Sequence, residues 1–241
     1  MDTKKGMGEQ GNAQDGNGAA VGRSVAMNEE TKAEGIYTVT CYEPKPEHFD
    51  AYVSLKNKAD ELYARASEAG RLTRWVLKRQ AAALMNQLVP MQQVKWVDTF
   101  HNTVVTVGKN DLLDKYLSGS TYTAAFFMGL ISLTSYTGIA AGDTMASHGG
   151  WLEAGATNAP TYSQGTRPAP AFSAASAGSK ATSAAVVYSI TGTGTVKGAF
   201  ITTVSTKDGT TGTLFSAGLF TGGDKAVANT DTLNVTYSLA V

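Results

Sequence analysis

Short runs of β-branched and aromatic residues recur along the C-terminal part of the chain, and they constrain its fold more than any other feature. The runs are VKWVDTF, TVVTVG, TAAFFMGLIS, APAFSAA, AAVVYSITG, TVKGAFITTVS, GTLFSAGLF and TLNVTYSLAV. Each has the length and composition of a β-strand. Gly, Asn or Asp separates most of them, as in TGTG at 191–194 and KDGTTG at 207–212. The connections are therefore predicted to be turns.

Seven or eight short strands at this spacing predict a mainly β fold. We expect an antiparallel β-sandwich of the jelly-roll or immunoglobulin-like kind over residues 94–241. The chain has 241 residues, of which 42% are hydrophobic, and this is enough apolar material for such a core.

A helical segment interrupts the β pattern in the first half of the chain. Alternation in GIYTVTCYEP predicts a first strand at residues 35–43, and the period then becomes helical over residues 44–93. Gly70 and Pro90 are expected to end two successive helices. Because a β-hairpin needs only a few connecting residues, this αα-hairpin is predicted to be a module inserted between two neighbouring strands.

Gly, Asn, Gln and Glu account for 15 of the first 34 residues, which contain very few large apolar groups. Such a segment cannot offset its ordering entropy by burial, so residues 1–34 are predicted to form a flexible N-terminal arm. The arm either orders against a partner subunit or is a leader without a role. No apolar core of a signal peptide is visible in it.

Charge and cysteine content exclude several classes of function. The formal net charge is zero, so no global field attracts nucleic acid or an anionic membrane, and we expect neither as a partner. The longest apolar run, residues 123–133, is too short for a membrane-spanning helix. The single cysteine, Cys41, rules out an intrachain disulfide and is expected to be a half-buried strand residue.

The stretch VGKND at 107–111 imitates part of a phosphate-binding loop. A P-loop needs a glycine five positions before its Gly-Lys pair and a Ser or Thr after the lysine. Thr103 and Asn110 occupy those positions, so nucleotide binding is not supported. The alternative is a strand that ends at Gly108, followed by a short helix that Asn110 or Asp111 caps. The buried face of that helix is predicted at Leu112, Leu113, Tyr116 and Leu117.

Candidate catalytic groups are few. None of the three histidines has a metal-ligand spacing, and no G-x-S-x-G elbow is present. Asp143 and His148 are the best acid–base pair, but the pattern also fits a structural role. In that reading Asp143 caps one helical turn, two glycines end it, and Trp151 anchors the returning chain. We therefore expect a protein that is not an enzyme and that holds no cofactor or metal.

The second predicted helix carries basic residues on both sides of Trp75. These are Arg71, Arg74, Lys78 and Arg79. They form either a patch for nucleic acid or an acidic partner, or a solvated face balanced by the acidic residues of the first helix. Because the total charge cancels, the second interpretation is favoured.

Several phrases resemble a family of small structural proteins found in the virions of tailed bacteriophages. They are WVDTFHNTVVTVGKNDLLDKYLSGSTYTAAFFMGLI, AAGDTMASHGGW, the Arg167-Pro168 pair and GTLFSAGLFTGGDKAVANTDTLNVTYSLAV. The resemblance covers residues 94–241 and the strand at 36–42, whereas the helical insert and the N-terminal arm depart from it. It implies a virion component, made in the host bacterial cytoplasm, whose partners are other virion proteins.

This resemblance leads to two hypotheses about location. In the first, the protein decorates, cements or extends the capsid or its portal vertex as a symmetric homo-oligomer, which assembles and attaches through the arm and the hairpin. The candidate partner-contact residues are then Tyr52, Leu55, Leu62, Arg74, Trp75 and Arg79. In the second, it belongs to the tail, neck or baseplate and binds host surface glycans through stacking aromatics. The candidate glycan-contact residues are Tyr136, Trp151 and Tyr162.

Overall fold

The computed structural model describes residues 33–119 and 125–241. Within these ranges the chain forms eleven β-strands and three α-helices. The strands are β1 Glu34–Pro44, β2 Gln92–Val104, β3 Phe127–Ser132, β4 Glu153–Gly155, β5 Asn158–Thr161, β6 Ser179–Ala181, β7 Val186–Ser189, β8 Gly194–Thr202, β9 Leu214–Leu219, β10 Lys225–Val227 and β11 Thr232–Ala240. The helices are α1 Phe49–Glu68, α2 Arg71–Leu88 and α3 Thr106–Leu117. The predicted arm lies outside the described residues except for its last two positions.

All eleven strands belong to one hydrogen-bonded sheet. Its main order is β5-β4-β3-β8-β9-β2-β1-β11-β6, while β10 pairs with β8 and β7 pairs with β11. Every pairing is antiparallel except that of β4 with β5, which is parallel. The mainly β prediction is confirmed. The two-sheet sandwich is not confirmed, because the strands form a single mixed sheet.

The sheet curls until its distant strands meet. Strands β3 and β7 are six positions apart in the pairing order, which would separate them by roughly 29 Å in a flat sheet. Nevertheless, the buried Tyr188 hydroxyl donates to the Met128 carbonyl at 2.8 Å. Backbone hydrogen bonds also join the two regions, from Ser163 N to Ser189 O and from Thr191 N to Thr161 O. The curl therefore encloses one face of the sheet.

The enclosed face forms the main hydrophobic core. Alternate residues of β1, namely Tyr37, Val39 and Cys41, are completely buried in it. Cys41 is thus fully buried and not half-buried as predicted. A second, smaller cluster centred on Trp151 covers part of the other face of the sheet, where it contacts Phe200.

The predicted αα-hairpin is present between β1 and β2. These strands pair in antiparallel register as far as Pro44 and Gln92, so the two helices occupy the position of a turn. Half of the residues on the inward sides of the helices are alanines, which allow close approach. The buried residues are Tyr52, Lys56, Ala59 and Ala66 in α1, and Ala81 and Leu88 in α2.

The chain enters α3 earlier than the sequence predicts. Strand β2 ends at Val104 and α3 begins at Thr106, so Gly108 lies inside the helix and does not turn the chain. The helix passes so close to β9 that a Cβ added at Gly108 would be 2.3 Å from the Phe215 carbonyl oxygen. Asp111 is a residue of the second turn of the helix, so the prediction that it starts the helix is wrong.

The predicted buried face of α3 is also wrong. Its four apolar residues are more than one-third exposed, and they are Leu112, Leu113, Tyr116 and Leu117. The prediction of a strand in the segment APAFSAA is wrong as well. Residues 169–175 form no strand, and only Phe172 makes an isolated bridge, to Thr182.

Candidate interaction surfaces

Helix α2 has two apolar faces, and only one of them is covered. The covered face carries Leu77, Ala81, Leu84 and Leu88, which are buried or half-buried. On the opposite side, Leu72, Trp75, Val76 and Arg79 follow the i, i+3, i+4, i+7 spacing of one helix face. We call these four residues the outer stripe.

The outer stripe is open to solvent. Leu72 is 77% exposed, Trp75 58% and Val76 39%. The guanidinium of Arg79 lies over the Trp75 ring, 5.4 Å from its centroid, in a cation–π contact. A cation–aromatic pair beside exposed aliphatic groups is typical of the centre of a protein interface.

The other predicted partner-contact residues have different environments. Tyr52 is buried, so its predicted contact with a partner is wrong. Its hydroxyl donates to the Thr230 carbonyl at 3.3 Å and accepts from Gln92 Nε2 at 2.7 Å, and it thereby attaches the hairpin to the sheet. Leu55 and Leu62 are half-buried along α1. Arg74 is exposed, and it donates to the Ala69 carbonyl at 3.0 Å.

A groove of about 1020 Å³ lies between the hairpin and the sheet. Its lining includes Tyr63, Arg74 and Lys78 from helices α1 and α2, together with residues 163–166. The sheet side contributes the polar residues Ser189, Thr232 and Asn234. Hydroxyl, amide and cationic groups thus line the same space as one exposed tyrosine.

Two acceptors beside this groove have no partner among the residues that the structure describes. They are Gln164 Oε1 and Asn234 Oδ1, both buried. The amide orientation of Gln164 is fixed because its Nε2 donates to the Val187 carbonyl at 2.8 Å. Unpaired buried acceptors are costly, so a small movement that brings them to a donor in the groove would be favourable.

Two of the three predicted glycan-contact residues are buried. Trp151 is 0% exposed and Tyr162 is 4% exposed, so neither ring can stack on a sugar, and this prediction is wrong. Burial raises the pKa of the Tyr162 hydroxyl, and the nearby Glu153 carboxylate raises it further. Tyr136 is half-buried, and the Lys197 ammonium lies 4.6 Å from its ring centroid.

The predicted acid–base pair supports Trp151. Asp143 Oδ2 accepts the indole N–H of Trp151 at 2.9 Å and the backbone N–H of Ala140 at 3.0 Å. His148 stacks on the indole with ring centroids 4.1 Å apart, and its Nδ1 lies 3.0 Å from the Trp151 carbonyl oxygen. Residues 144–147 form a tight turn with a bridge between Thr144 and Ser147. The predicted single helical turn is therefore wrong.

A buried ion pair between Arg167 and Glu153 was not predicted. Arg167 Nε and Nη2 donate to the two oxygens of Glu153 at 2.9 and 2.8 Å. In the sequence, the Arg167-Pro168 pair is only one of the phrases that carry the family resemblance. No local pattern links Arg167 to a carboxylate fourteen positions earlier, because the fold brings them together.

The thiol of Cys41 is chemically protected. Burial raises its pKa, and the negative charge of Asp231, whose Oδ2 lies 3.7 Å from the sulfur, raises it further. Lys95 forms an ion pair with the same carboxylate at 2.8 Å. A thiol with a raised pKa is a poor nucleophile, so Cys41 has a structural role.

The described ranges contain neither a metal-binding cluster nor a membrane-spanning helix. Residues 33–119 and 125–241 contain no cluster of three or more His, Cys, Asp or Glu side chains that is suited to a metal ion. In the same ranges, no helix combines the length and apolar character needed to cross a membrane.

The sheet and its helices define a mainly β protein with a helical hairpin inserted between two paired strands. No protein-family model matches the chain, and neither a curated protein nor a solved structure matches it.

Proposed function

We propose that this chain is a non-enzymatic structural protein of a tailed-phage virion, attached to the capsid or its vertex as a decoration, cement or head-fibre component. The observation that supports this proposal is the outer stripe of α2. It is an apolar and cationic surface that the described part of the chain leaves uncovered.

The physical argument concerns where the helical hairpin exposes apolar groups. A hairpin that served only to cover the sheet would present a polar outer face. Here Leu72, Trp75 and Val76 are exposed beside Arg79, so burial of the stripe against another protein would be favourable. One such contact is weak, but a symmetric array of copies on a capsid multiplies it.

The curled sheet suits a bracing role in this proposal. We propose that its two halves work as the layers of a jelly-roll or immunoglobulin-like sandwich, joined by strands that run from one layer to the other. The contact between the Tyr188 hydroxyl and the Met128 carbonyl supports a layered arrangement. Such a scaffold is rigid and would hold the hairpin in a fixed direction.

The test is binding to virions assembled without this protein. Purified full-length chain is mixed with such particles, and bound protein is measured by co-sedimentation. Trp75→Ser is expected to weaken binding about 30-fold, as loss of a central aromatic anchor does. Val89→Ser is the matched control, because Val89 is also an exposed apolar residue but lies beyond the end of α2.

Two results would count against the proposal. Wild-type protein that does not sediment with the particles would remove its basis. Equal binding by wild type and Trp75→Ser would remove the assignment to the outer stripe. Circular dichroism of both variants confirms that they are folded.

A second candidate function is a tail, neck or baseplate component that binds host surface glycans. The groove between the hairpin and the sheet favours it, because hydroxyl and amide groups line this groove together with Tyr63. The groove replaces Trp151 and Tyr162 as the proposed glycan site, because both of these side chains are buried. Binding of the purified chain to whole host cells tests this second function. Tyr63→Ser is expected to reduce binding and Leu117→Ser to leave it unchanged, and equal binding by all three proteins would contradict it.

A further inference from the structure

A second exposed apolar surface lies on α3, which follows the hairpin along the chain after the single strand β2. Leu112 is 38% exposed, Leu113 53%, Tyr116 86% and Leu117 73%. These residues occupy positions i, i+1, i+4 and i+5, so they form one continuous band along the helix. We call them the α3 band. Full burial of a tyrosine removes about 150–250 Å² from water, so most of that area is still available at Tyr116.

An apolar cavity of about 370 Å³ lies directly beside this band. Its walls include Phe126, Phe172 and Phe215, and it extends to the core residue Ile201. Leu112 and Tyr116 of the band also line it. The projecting residues and the cavity therefore belong to the same patch of surface.

We propose that the α3 band and this cavity form a homotypic interface, in which each copy inserts residues of its band into the cavity of a second copy. A two-fold axis that passes through one patch sets the projecting part of each copy against the recessed part of the other. A patch that contains both parts is self-complementary under that symmetry, whereas a purely convex or concave patch is not.

The charges of the helix fit a second copy of the chain. Two lysines and two aspartates lie on α3, and they are Lys109, Asp111, Asp114 and Lys115. Lys115 and Asp111 already form an ion pair at 3.4 Å. Two such helices, whose own charges cancel, meet without net repulsion. Lys180 also lines the cavity, so the whole patch carries only one net positive charge and offers little to a strongly charged partner.

The first experiment is sedimentation velocity of the full-length chain over a range of concentrations. Wild type is expected to dimerise, and Tyr116→Ser and Leu117→Glu are each expected to raise the dissociation constant roughly tenfold or more. Both side chains are largely exposed, so neither change threatens the fold. Val97→Ser is the control, because it removes an exposed apolar side chain on β2 that belongs to neither proposed surface, and it should leave dimerisation unchanged.

The second experiment locates the interface by disulfide cross-linking. A cysteine introduced as Leu113→Cys lies within the band, and mild oxidation is expected to link two copies covalently. The native Cys41 is buried and does not interfere. Val187→Cys, an exposed position on β7, is the control and should remain uncross-linked.

Wild type that stays monomeric at all concentrations would overturn the inference. So would a dimer that persists unchanged in both Tyr116→Ser and Leu117→Glu. These outcomes are independent of the proposed function, because capsid binding is tested through α2 and can fail or succeed whatever the state of α3.

Discussion

Replacement of Arg167 by methionine tests whether the buried ion pair holds the loops at one end of the sheet. Arg167 is 1% exposed and Glu153 is 4% exposed. Besides its two bonds to Glu153, the guanidinium donates to the Val204 carbonyl at 2.8 Å and to the Gly209 carbonyl at 3.1 Å. One side chain thus joins β4 to the segment between β8 and β9.

The expected loss of stability arises from the negative charge that stays buried in the variant. In Arg167→Met the Glu153 carboxylate stays buried without its cation, and loss of one partner of a buried pair costs about 3–5 kcal/mol. With a slope of about 3 kcal/mol per molar urea, the unfolding midpoint should fall by roughly 1–1.7 M. Urea titration followed by tryptophan fluorescence and by circular dichroism measures it.

The double variant Glu153→Leu with Arg167→Met is the control for this prediction. It removes both charges, so it should be more stable than Arg167→Met alone. The double variant should regain only part of the lost stability, because the backbone N–H of Asp208 loses its acceptor on Glu153. If the free energy of unfolding falls by less than about 1 kcal/mol in Arg167→Met, the reasoning is refuted, because such a value is typical of exposed ion pairs. A double variant that is less stable than the single one would refute it too.

Three further predictions concern alkaline pH, the hairpin and α3. Burial raises the pKa of several tyrosines, Tyr37 and Tyr188 among them, so the unfolded chain loses these protons first and stability should fall as the pH rises above ~10. Urea titrations between pH 9 and 11 check this, and Tyr188→Phe should reduce the slope by about 1.4 kcal/mol per pH unit, the contribution of one such group; an unchanged slope would contradict it. Replacement of residues 45–91 by Asn-Gly should leave one cooperative urea transition, and its loss would show that the hairpin is part of the core. Gly108→Ala should lower stability by about 1–3 kcal/mol in thermal unfolding, because the new Cβ meets the Phe215 carbonyl, and an unchanged melting temperature would contradict that contact.

The hairpin was predictable because its signals are local. Alternating three- and four-residue steps determine the inner faces of both helices, Gly70 separates them, and Pro90 follows the second. Each of these signals acts within a few residues of the position that it specifies. The two strands that flank the helices follow from simple alternation, and their pairing follows from the insertion itself.

The start of α3 was not predictable because distant contacts determine it. Val104, Val105 and Val107 favour extended backbone, which predicts a longer strand. In the structure the Val105 N–H bonds to the Phe215 carbonyl and the Thr106 N–H bonds to the Ala141 carbonyl. Segments far along the chain satisfy these donors, so the helix can begin at once. Intrinsic propensity gave the wrong boundary because tertiary hydrogen bonds outweighed it.

The two surfaces proposed for binding share a physical cause. Sixteen large apolar side chains are exposed among the described residues, and nine of them lie on the three helices. The curled sheet encloses its own core, so it does not need the helices to cover it. The hairpin is attached to the sheet by polar contacts, because the Tyr52 hydroxyl forms hydrogen bonds with Thr230 and Gln92. Helices that are released from covering a core can carry apolar residues outward, and the outer stripe and the α3 band are where such residues concentrate. Because the outer sides of the helices are separate from the core of the sheet, substitutions on these two surfaces should change association and leave the unfolding midpoint almost unaltered.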